Sequence, residues 1–264
     1  MIIIAERING TIQSVKDIIL NRDDQGLLDL ARRQARAGAS YIDLNVSTGA
    51  GSPGDEIKAM KWAVETIRNE LEIPLCIDSS NPAVLAGGLK CCRGKPAMLN
   101  SIKAERRSLE KVIPLAKEHN TPIVALTMDE SGLPKSVKDR IRAGEKIVEA
   151  CERHGVPIEN VFFDLLVMPI STDVKQGLTA LNALIEIKKE FPGCRTVLGI
   201  SNISFGLPGR ARLNAGFLHM AAFAGVDAAI VDILNRDMVV ALRTAELLAG
   251  KDKDCGNYLR AFRQ

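Results

Sequence analysis

Short apolar runs recur at even intervals along the 264-residue chain. Each holds four or five residues with little polar alternation, which is typical of strands buried on both faces of a parallel sheet. Eight strands are predicted: Ile2–Ala5, Tyr41–Leu44, Pro74–Ile77, Pro96–Leu99, Pro122–Leu126, Asn160–Phe163, Thr196–Ile200 and Ala228–Val231.

Helical patterns separate these runs. Apolar residues then recur at spacings of three and four, as on one face of a helix. The predicted helices are Gln25–Ala37, Pro53–Leu71, Asn81–Cys91, Ala104–His119, Ser136–Glu152, Asp173–Glu190, Leu213–Ala224 and Arg236–Ala249. Eight strand–helix units over about 250 residues predict an α/β fold, specifically a (β/α)8 TIM barrel. We expect one domain over residues 1–264, and the absence of G-x-G-x-x-G after the first strand disfavours a dinucleotide-binding open sheet.

Composition excludes several classes of partner. The net charge is only +3 and aromatic residues make up 4%, so nucleic acid is not expected to bind. No run approaches the roughly 20 apolar residues of a membrane span, and the first residues lack a signal pattern, so we expect a cytoplasmic protein. The six cysteines form no Cys-x-x-Cys pair, which favours reduced thiols.

Polar side chains stand where the predicted strands end. They are Glu6, Asn9, Asp43, Asn45, Asp78, Asn100, Thr127, Asp129, Asp164, Asn202 and Asp232. In a barrel of this kind, the C-terminal ends of the strands carry the chemistry, so these side chains are expected to converge on one cavity. The same residue types also favour helix N-caps and turns, which is an alternative for each position and especially for Asp232 before the last helix.

The residue types in this ring indicate a class of ligand. Carboxylates accept hydrogen bonds, whereas carboxamides both donate and accept them. Together they suit a flat heterocycle with an amidine-like edge, such as a pterin with its 2-amino and N3–H donors. A hard metal ion is the second fit, but the neutral asparagines suit it less well, and we expect no metal.

Seven segments then point to a family. They are AERING (5–10), DLNV (43–46), CIDSSN (76–81), LNSI (99–102), ALTMDESGLP (125–134), FFDLLVMP (162–169) and GISNISFG (199–206). In this order the chain resembles the pterin-binding methyltransferases, namely the methyltetrahydrofolate:corrinoid protein methyltransferases and the folate domain of cobalamin-dependent methionine synthase. It departs from the family at Leu165, where a proline often follows the aspartate.

The resemblance implies a homodimeric TIM barrel that binds tetrahydrofolate. It implies that Asp78, Asn100 and Asp164 hydrogen-bond the pterin ring and that Asn202 approaches N5, the nitrogen that carries the methyl group. The remaining members of the expected pterin site are Asp43, Asn45 and Glu6.

The implied reaction is methyl transfer between N5 of tetrahydrofolate and the cobalt of a corrinoid. Either direction is open, including transfer from a methylcorrinoid to tetrahydrofolate in anaerobic demethylation. The chain has no Asp-x-His-x-x-Gly motif, which the family's corrinoid carriers use, so the corrinoid is expected on a partner protein. A tertiary amine is a poor leaving group, so a hydrogen bond from Asn202 to N5 would lower the barrier to breaking the bond between N5 and the methyl group. Asp78 is expected to hold a water molecule that supplies the proton to N5.

Three alternatives remain open from the sequence. Dihydropteroate synthase shares the barrel and the pterin site, but the loop Val46–Pro53 contains no arginine with which to handle a phosphate. A non-catalytic folate-binding protein would keep the pterin residues without turnover. A metal-dependent barrel lyase or aldolase is the general alternative from the fold alone.

Overall fold

The computed structural model describes residues 1–262. Eight parallel strands follow one another around a closed barrel, and β1 pairs with β8 to complete it. They are β1 (Ile2–Asn9), β2 (Tyr41–Asn45), β3 (Leu75–Asp78), β4 (Ala97–Lys103), β5 (Ile123–Leu126), β6 (Val161–Asp164), β7 (Arg195–Gly199) and β8 (Ala228–Val231). The predicted (β/α)8 barrel is confirmed.

Helices surround the barrel. They are α1 (Gln13–Asn21), α2 (Asp24–Arg36), α3 (Pro53–Glu70), α4 (Pro82–Cys92), α5 (Arg106–Glu118), α6 (Val137–His154), α7 (Gln176–Glu190), α8 (Arg210–Phe223), α9 (Arg236–Leu248) and α10 (Gly256–Phe262). The sequence pattern missed α1 and α10. Helix α1 buries only Val15 and Ile19, which is too short an apolar stripe to stand out. No helix within residues 1–262 is long and apolar enough to cross a membrane.

Several boundaries differ from the predicted ones. Strands β1 and β4 continue past Ala5 and Leu99. In each strand the pairing with the next one shifts its register and then resumes, at Ile8 in β1 and at Ile102 in β4. Helix α7 begins three residues later than predicted, since the Asp173 side chain accepts a hydrogen bond from the Lys175 backbone N–H and forms a turn instead.

Helix α6 buries a stripe that matches the expected one only in part. Helical spacing in the sequence predicts a stripe of Val137, Ile141, Ile147, Val148 and Cys151, of which Ile147 and Cys151 are buried. The buried residues are Arg140, Ala143, Gly144, Ile147, Ala150 and Cys151. The shift follows from close packing, because a Cβ at Gly144 would stand 2.6 Å from the Phe191 ring. Small residues therefore make up part of the buried stripe, whereas Val137, Ile141 and Val148 lie at the edge of the core.

The barrel interior holds its own apolar layer, separate from the core between strands and helices. That layer comprises Ile4, Cys76, Met98, Val124, Phe162, Val197 and Ala228. Because side chains alternate along a strand, the next inward position lies two residues further on, at the C-terminal end of the barrel. The positions just above the apolar layer are therefore fixed by the strand period.

Candidate active site

Strand alternation places the predicted polar residues at one end of the barrel interior. Asp78 lies two residues after Cys76, Asn100 two after Met98 and Asp164 two after Phe162. Residues Glu6, Asp43 and Asn45 occupy the same kind of inward position on β1 and β2. Strand alternation thus places six of the seven predicted site residues at the expected end of the barrel, and the seventh, Asn202, lies at the same end in the turn after β7.

Asp43 and Asn100 form a buried pair at the base of this ring. The Asn100 amide nitrogen donates to Asp43 Oδ1 over 3.1 Å, and the two side chains come from strands that are separated by β3. Burial raises the pKa of Asp43 well above its ordinary value, and the nearby Asp78 carboxylate raises it further, while the Asn100 hydrogen bond lowers it. Asp43 therefore resists ionisation more than a free aspartate does.

Asp78 and Asn45 form a second pair above the first. The Ser47 backbone N–H donates to Asn45 Oδ1, so the Asn45 amide nitrogen faces Asp78 and donates to its Oδ2 over 2.8 Å. Burial raises the pKa of Asp78 to about 6, and the Asn45 hydrogen bond opposes that rise. Asp78 thus titrates close to neutral pH.

Asp164 ends β6, and its backbone and side chain are both held. Its Oδ1 accepts a 2.8 Å hydrogen bond from the Leu166 backbone N–H. Burial raises the pKa of Asp164 to about 6, while the Leu166 hydrogen bond and the positive charge of Arg140 lower it. Within residues 1–262, Asp164 Oδ2 has no hydrogen-bond partner and is therefore available to a ligand donor.

Two cavities open above the ring. The first, here called the β3–β4 cavity, has a volume of about 720 Å³ and is lined by residues that include Asn45, Asp78 and Ser101. The second, the β1–β7 cavity, has a volume of about 420 Å³ and is lined by residues that include Glu6 and Asn202. Thr11 lines both, so they are neighbours on the same face.

Asn202 does not end a strand, contrary to the sequence prediction. Strand β7 stops at Gly199, and Asn202 lies in the 3-10 turn Ile200–Ser204 that follows it. The side chain is exposed and lines the β1–β7 cavity. The 3-10 turn places the Asn202 amide at the C-terminal end of the barrel. The period of apolar residues does not predict such a turn.

Arg210 supports this turn and was missed by sequence reasoning. Its guanidinium donates to the Ser201 carbonyl over 2.8 Å and to Ser204 Oγ over 3.1 Å. The same arginine lines the β1–β7 cavity. The only available signal was an arginine directly after the Leu207–Gly209 loop, which is not distinctive among 35 basic residues.

Glu6 belongs with Asn202 rather than with Asp78. Ser201 Oγ donates to Glu6 Oε1 over 2.6 Å, which joins β1 to the turn after β7. Burial raises the pKa of Glu6, and Asp232 adds to the rise, while the Ser201 hydrogen bond and Arg210 lower it. A carboxyl group that is easily protonated thus lies in the cavity of Asn202.

The capping alternative does not hold for the seven predicted site residues. The helix N-caps with side-chain hydrogen bonds are Asp23, Ser52, Asn81, Ser136 and Asn235. Asn235 caps α9, so the prediction that Asp232 caps this helix is wrong. Asp232 instead accepts from the Leu234 backbone N–H, which is the turn role that its residue type also favours. Within the described part of the chain, no group of three or more His, Cys, Asp or Glu side chains could hold a metal ion.

Comparison with known proteins defines the class. Residues 5–232 match the family of pterin binding enzymes, and the chain belongs to that family. Over its full length it is 35% identical to a methylcorrinoid:tetrahydrofolate methyltransferase of Eubacterium limosum, and the match covers 97% of that protein. It is also 33% identical to the methionine synthase of Mycobacterium leprae over 88% of this chain, which corresponds to 20% of that protein.

Solved structures share the fold. A Yersinia pestis dihydropteroate synthase with a pterine-sulfa conjugate superposes with a TM-score of 0.71 at 18% identity, covering 94% of this chain and 93% of that one. A Clostridium difficile dihydropteroate synthase determined with pteroic acid gives 0.73 at 20% identity, covering 94% and 96%. At these identities the likeness shows a common barrel and not a common reaction.

Proposed function

We propose that this chain transfers a methyl group between N5 of tetrahydrofolate and the cobalt of a corrinoid carried by a partner protein. The observation that carries the proposal is the full-length similarity, at 35% identity, to a methylcorrinoid:tetrahydrofolate methyltransferase. The polar ring at the barrel end supports it, because it offers the donors and acceptors that a pterin needs. The name of that relative favours transfer towards tetrahydrofolate.

The pterin is assigned to the ring of Asp78, Asn100 and Asp164. The free Oδ2 of Asp164 and the Asp78 carboxylate would accept from the 2-amino group and from N3–H. Asn100 already donates one amide hydrogen to Asp43, which leaves its carbonyl oxygen and its second hydrogen for the ring. Asp43 and Asn45 then act as supports that orient Asn100 and Asp78.

Asn202 and Glu6 are assigned to N5. In transfer towards tetrahydrofolate, the N5 lone pair would form the new bond to the methyl carbon, and N5 would lose its proton. The electron pair of the broken carbon–cobalt bond would stay with the corrinoid. The Asn202 amide can accept from N5–H in this direction and donate to N5 in the other. Glu6 shares the cavity with Asn202 and Asp232, and we assign to Glu6 the exchange of that proton through water, because burial raises its pKa. Asp78, predicted for this role, lines the neighbouring β3–β4 cavity and is better placed for the pterin.

The corrinoid would approach through the β1–β7 cavity. Asn202 and Phe205 are both exposed there, so this side of the ring is open to a large partner. Reduced cobalt is oxidised by air, so we expect the reaction in anaerobic metabolism and in a reducing compartment, the cytoplasm.

We further propose that the chain acts as a single domain and forms a homodimer. Large apolar side chains are exposed on the neighbouring helices α7 and α8, at Leu178, Ile185, Met220 and Phe223. Phe223 is 90% exposed, which is unusual for a large aromatic side chain. We call these four residues the α7–α8 face and assign it to the dimer contact.

Two assays test the proposed function against dihydropteroate synthesis. The purified chain is given tetrahydrofolate and methylcobalamin, and separately a dihydropterin pyrophosphate with p-aminobenzoate. We expect methyltetrahydrofolate in the first mixture and no condensation in the second. Condensation without methyl transfer would favour dihydropteroate synthase and contradict the proposal.

A further inference from the structure

Arg140 is fully buried in the first turn of α6. Its guanidinium donates from Nε to the Leu165 carbonyl over 2.6 Å, from Nη2 to the Leu166 carbonyl over 3.2 Å and from Nη1 to the Ser136 carbonyl over 3.1 Å. A charge buried this deeply is costly unless its donors are satisfied. The planar fork of an arginine meets three carbonyls at once, which a lysine ammonium does not reproduce.

The carbonyls that Arg140 holds belong to the segment directly after Asp164. Leu166 has a left-handed backbone with φ of 55°, and its N–H donates to Asp164 Oδ1 over 2.8 Å. On the other side, the Asp164 carbonyl accepts from the backbone N–H and the hydroxyl of Thr127. The carboxylate is thus fixed by a chain of contacts that runs from Arg140 through Leu166.

We propose that Arg140 is a positioning residue for pterin binding, which holds the Leu165–Leu166 segment so that Asp164 Oδ2 faces the ligand as an ionised acceptor. Within residues 1–262, the guanidinium hydrogen-bonds only to neutral carbonyls. Burial lowers the pKa of Arg140, and the carboxylates that oppose this effect are Asp164 first and Asp139 second. Arg140 is in turn the charged group that lowers the pKa of Asp164 against the effect of burial.

The chain offers a matched control in Arg68. This arginine on α3 is also buried, and it donates to the carbonyls of Ile73 and Pro96 over 2.9 and 2.5 Å. These two residues precede β3 and β4, at the end of the barrel opposite to the site. Substitution of Arg68 removes the same kind of contact without touching the ligand end.

The test measures tetrahydrofolate binding by anaerobic titration calorimetry between pH 5 and 8, and it rests on the proposed function. For the wild type we expect affinity to rise with pH through about 6 and then to level off, since Asp164 and Asp78, whose pKa values both lie at about 6, must be ionised. In Arg140→Met the midpoint should move to higher pH, because the positive charge that lowers the pKa of Asp164 has been lost. Affinity at pH 7 should fall roughly tenfold. Arg68→Met should lose thermal stability but keep the wild-type midpoint.

Two further variants keep the test decisive. In an Asp164→Asn background, Arg140→Met should cause no shift of the midpoint. Arg140→Lys keeps the charge but loses the planar guanidinium, so it should bind tetrahydrofolate more weakly than the wild type at an unchanged midpoint. This variant replaces Arg140→Met in the test if Arg140→Met does not fold. Wild-type affinity at every pH in Arg140→Lys, or equal profiles for Arg140→Met and Arg68→Met, would overturn the role of Arg140. Absence of binding by the wild type would instead overturn the proposed function.

Discussion

The amide of Asn202 lies against the backbone of Gly199. A Cβ at Gly199 would stand 3.0 Å from Asn202 Nδ2, closer than side chains normally approach. The glycine that ends β7 therefore leaves room for the side chain assigned to N5. The proposed role of Asn202 therefore requires a residue without a side chain at position 199.

Gly199→Ala should displace the Asn202 amide by a few tenths of an ångström. Because misplacement of a group by about 1 Å costs roughly 100-fold in rate, we expect about a tenfold loss in the rate of methyl transfer. The tetrahydrofolate Kd should change less than about threefold, since the pterin ring is held elsewhere. Gly216→Ala is the matched control, because a Cβ there meets nothing within 4 Å in helix α8. It should keep wild-type kinetics; an equal loss in both variants would contradict the role of the contact.

Glu6→Gln should lower the rate of methyl transfer by roughly 100-fold if Glu6 exchanges the N5 proton. Ser201→Ala should act in a different way. It removes a hydrogen bond that lowers the pKa of Glu6, so that pKa should rise and the pH–rate profile should shift to higher pH. Stopped-flow rates over the pH range check both expectations. A wild-type rate in Glu6→Gln would show that the proton leaves by another route.

Asp78→Asn should stabilise the unliganded protein. The folded pKa of about 6 lies above the ordinary 3.8, so ionised Asp78 costs stability at neutral pH. This cost is absent below about pH 4, grows as pH rises through 6 and is complete above it. We expect a gain of about 1–2 kcal/mol at pH 7, a discounted value because the side chain is partly exposed, and almost none at pH 4.

Urea unfolding of Asp78→Asn and the wild type at both pH values checks this expectation. Tetrahydrofolate affinity should fall in the same variant, so stability and binding move in opposite directions, as is common at functional sites. A variant that is destabilised at pH 7 would show that the Asn45 hydrogen bond outweighs the cost of burial.

Phe223→Glu should convert the proposed homodimer to a monomer. The substitution places a charge on the most exposed residue of the α7–α8 face, and burying that charge in a contact would be costly. Leu133→Glu, at an exposed leucine in the loop after β5, is the control. Sedimentation velocity should show a monomer only for Phe223→Glu. A dimer that persists in this variant would place the contact elsewhere, and a monomeric wild type would exclude it.

The sequence predicted the barrel and most of the ring for one physical reason. Asp78, Asn100 and Asp164 follow short apolar strands, and the strand period alone decides which way such residues point. The residue types of the ring favoured a pterin over a metal ion, and the segment motifs added the resemblance to a family and with it the methyl transfer.

Contacts between distant positions were beyond the same reasoning. Glu6 and Ser201 are 195 positions apart, and their hydrogen bond exists only because the barrel closes. Arg140 was not singled out from the sequence, since nothing in the local pattern shows that its guanidinium contacts the carbonyls after Asp164. Asn202 was assigned correctly to this end of the barrel but wrongly to the position directly after a strand, because a short 3-10 turn has no apolar period of its own.

The most direct test of the central claim is methyl transfer followed by corrinoid absorbance under anaerobic conditions, in the wild type and in Asn202→Ala. Tetrahydrofolate is mixed with methylcobalamin, and methyltetrahydrofolate with cob(I)alamin, and the tetrahydrofolate Kd is measured in parallel. We expect turnover by the wild type and a loss of roughly 100-fold or more in Asn202→Ala, with little change in Kd. An unchanged rate in Asn202→Ala would contradict the assignment of the Asn202 amide to N5 of tetrahydrofolate. Failure of the wild type to transfer methyl in either mixture, even with a corrinoid protein supplied, would contradict the proposed reaction.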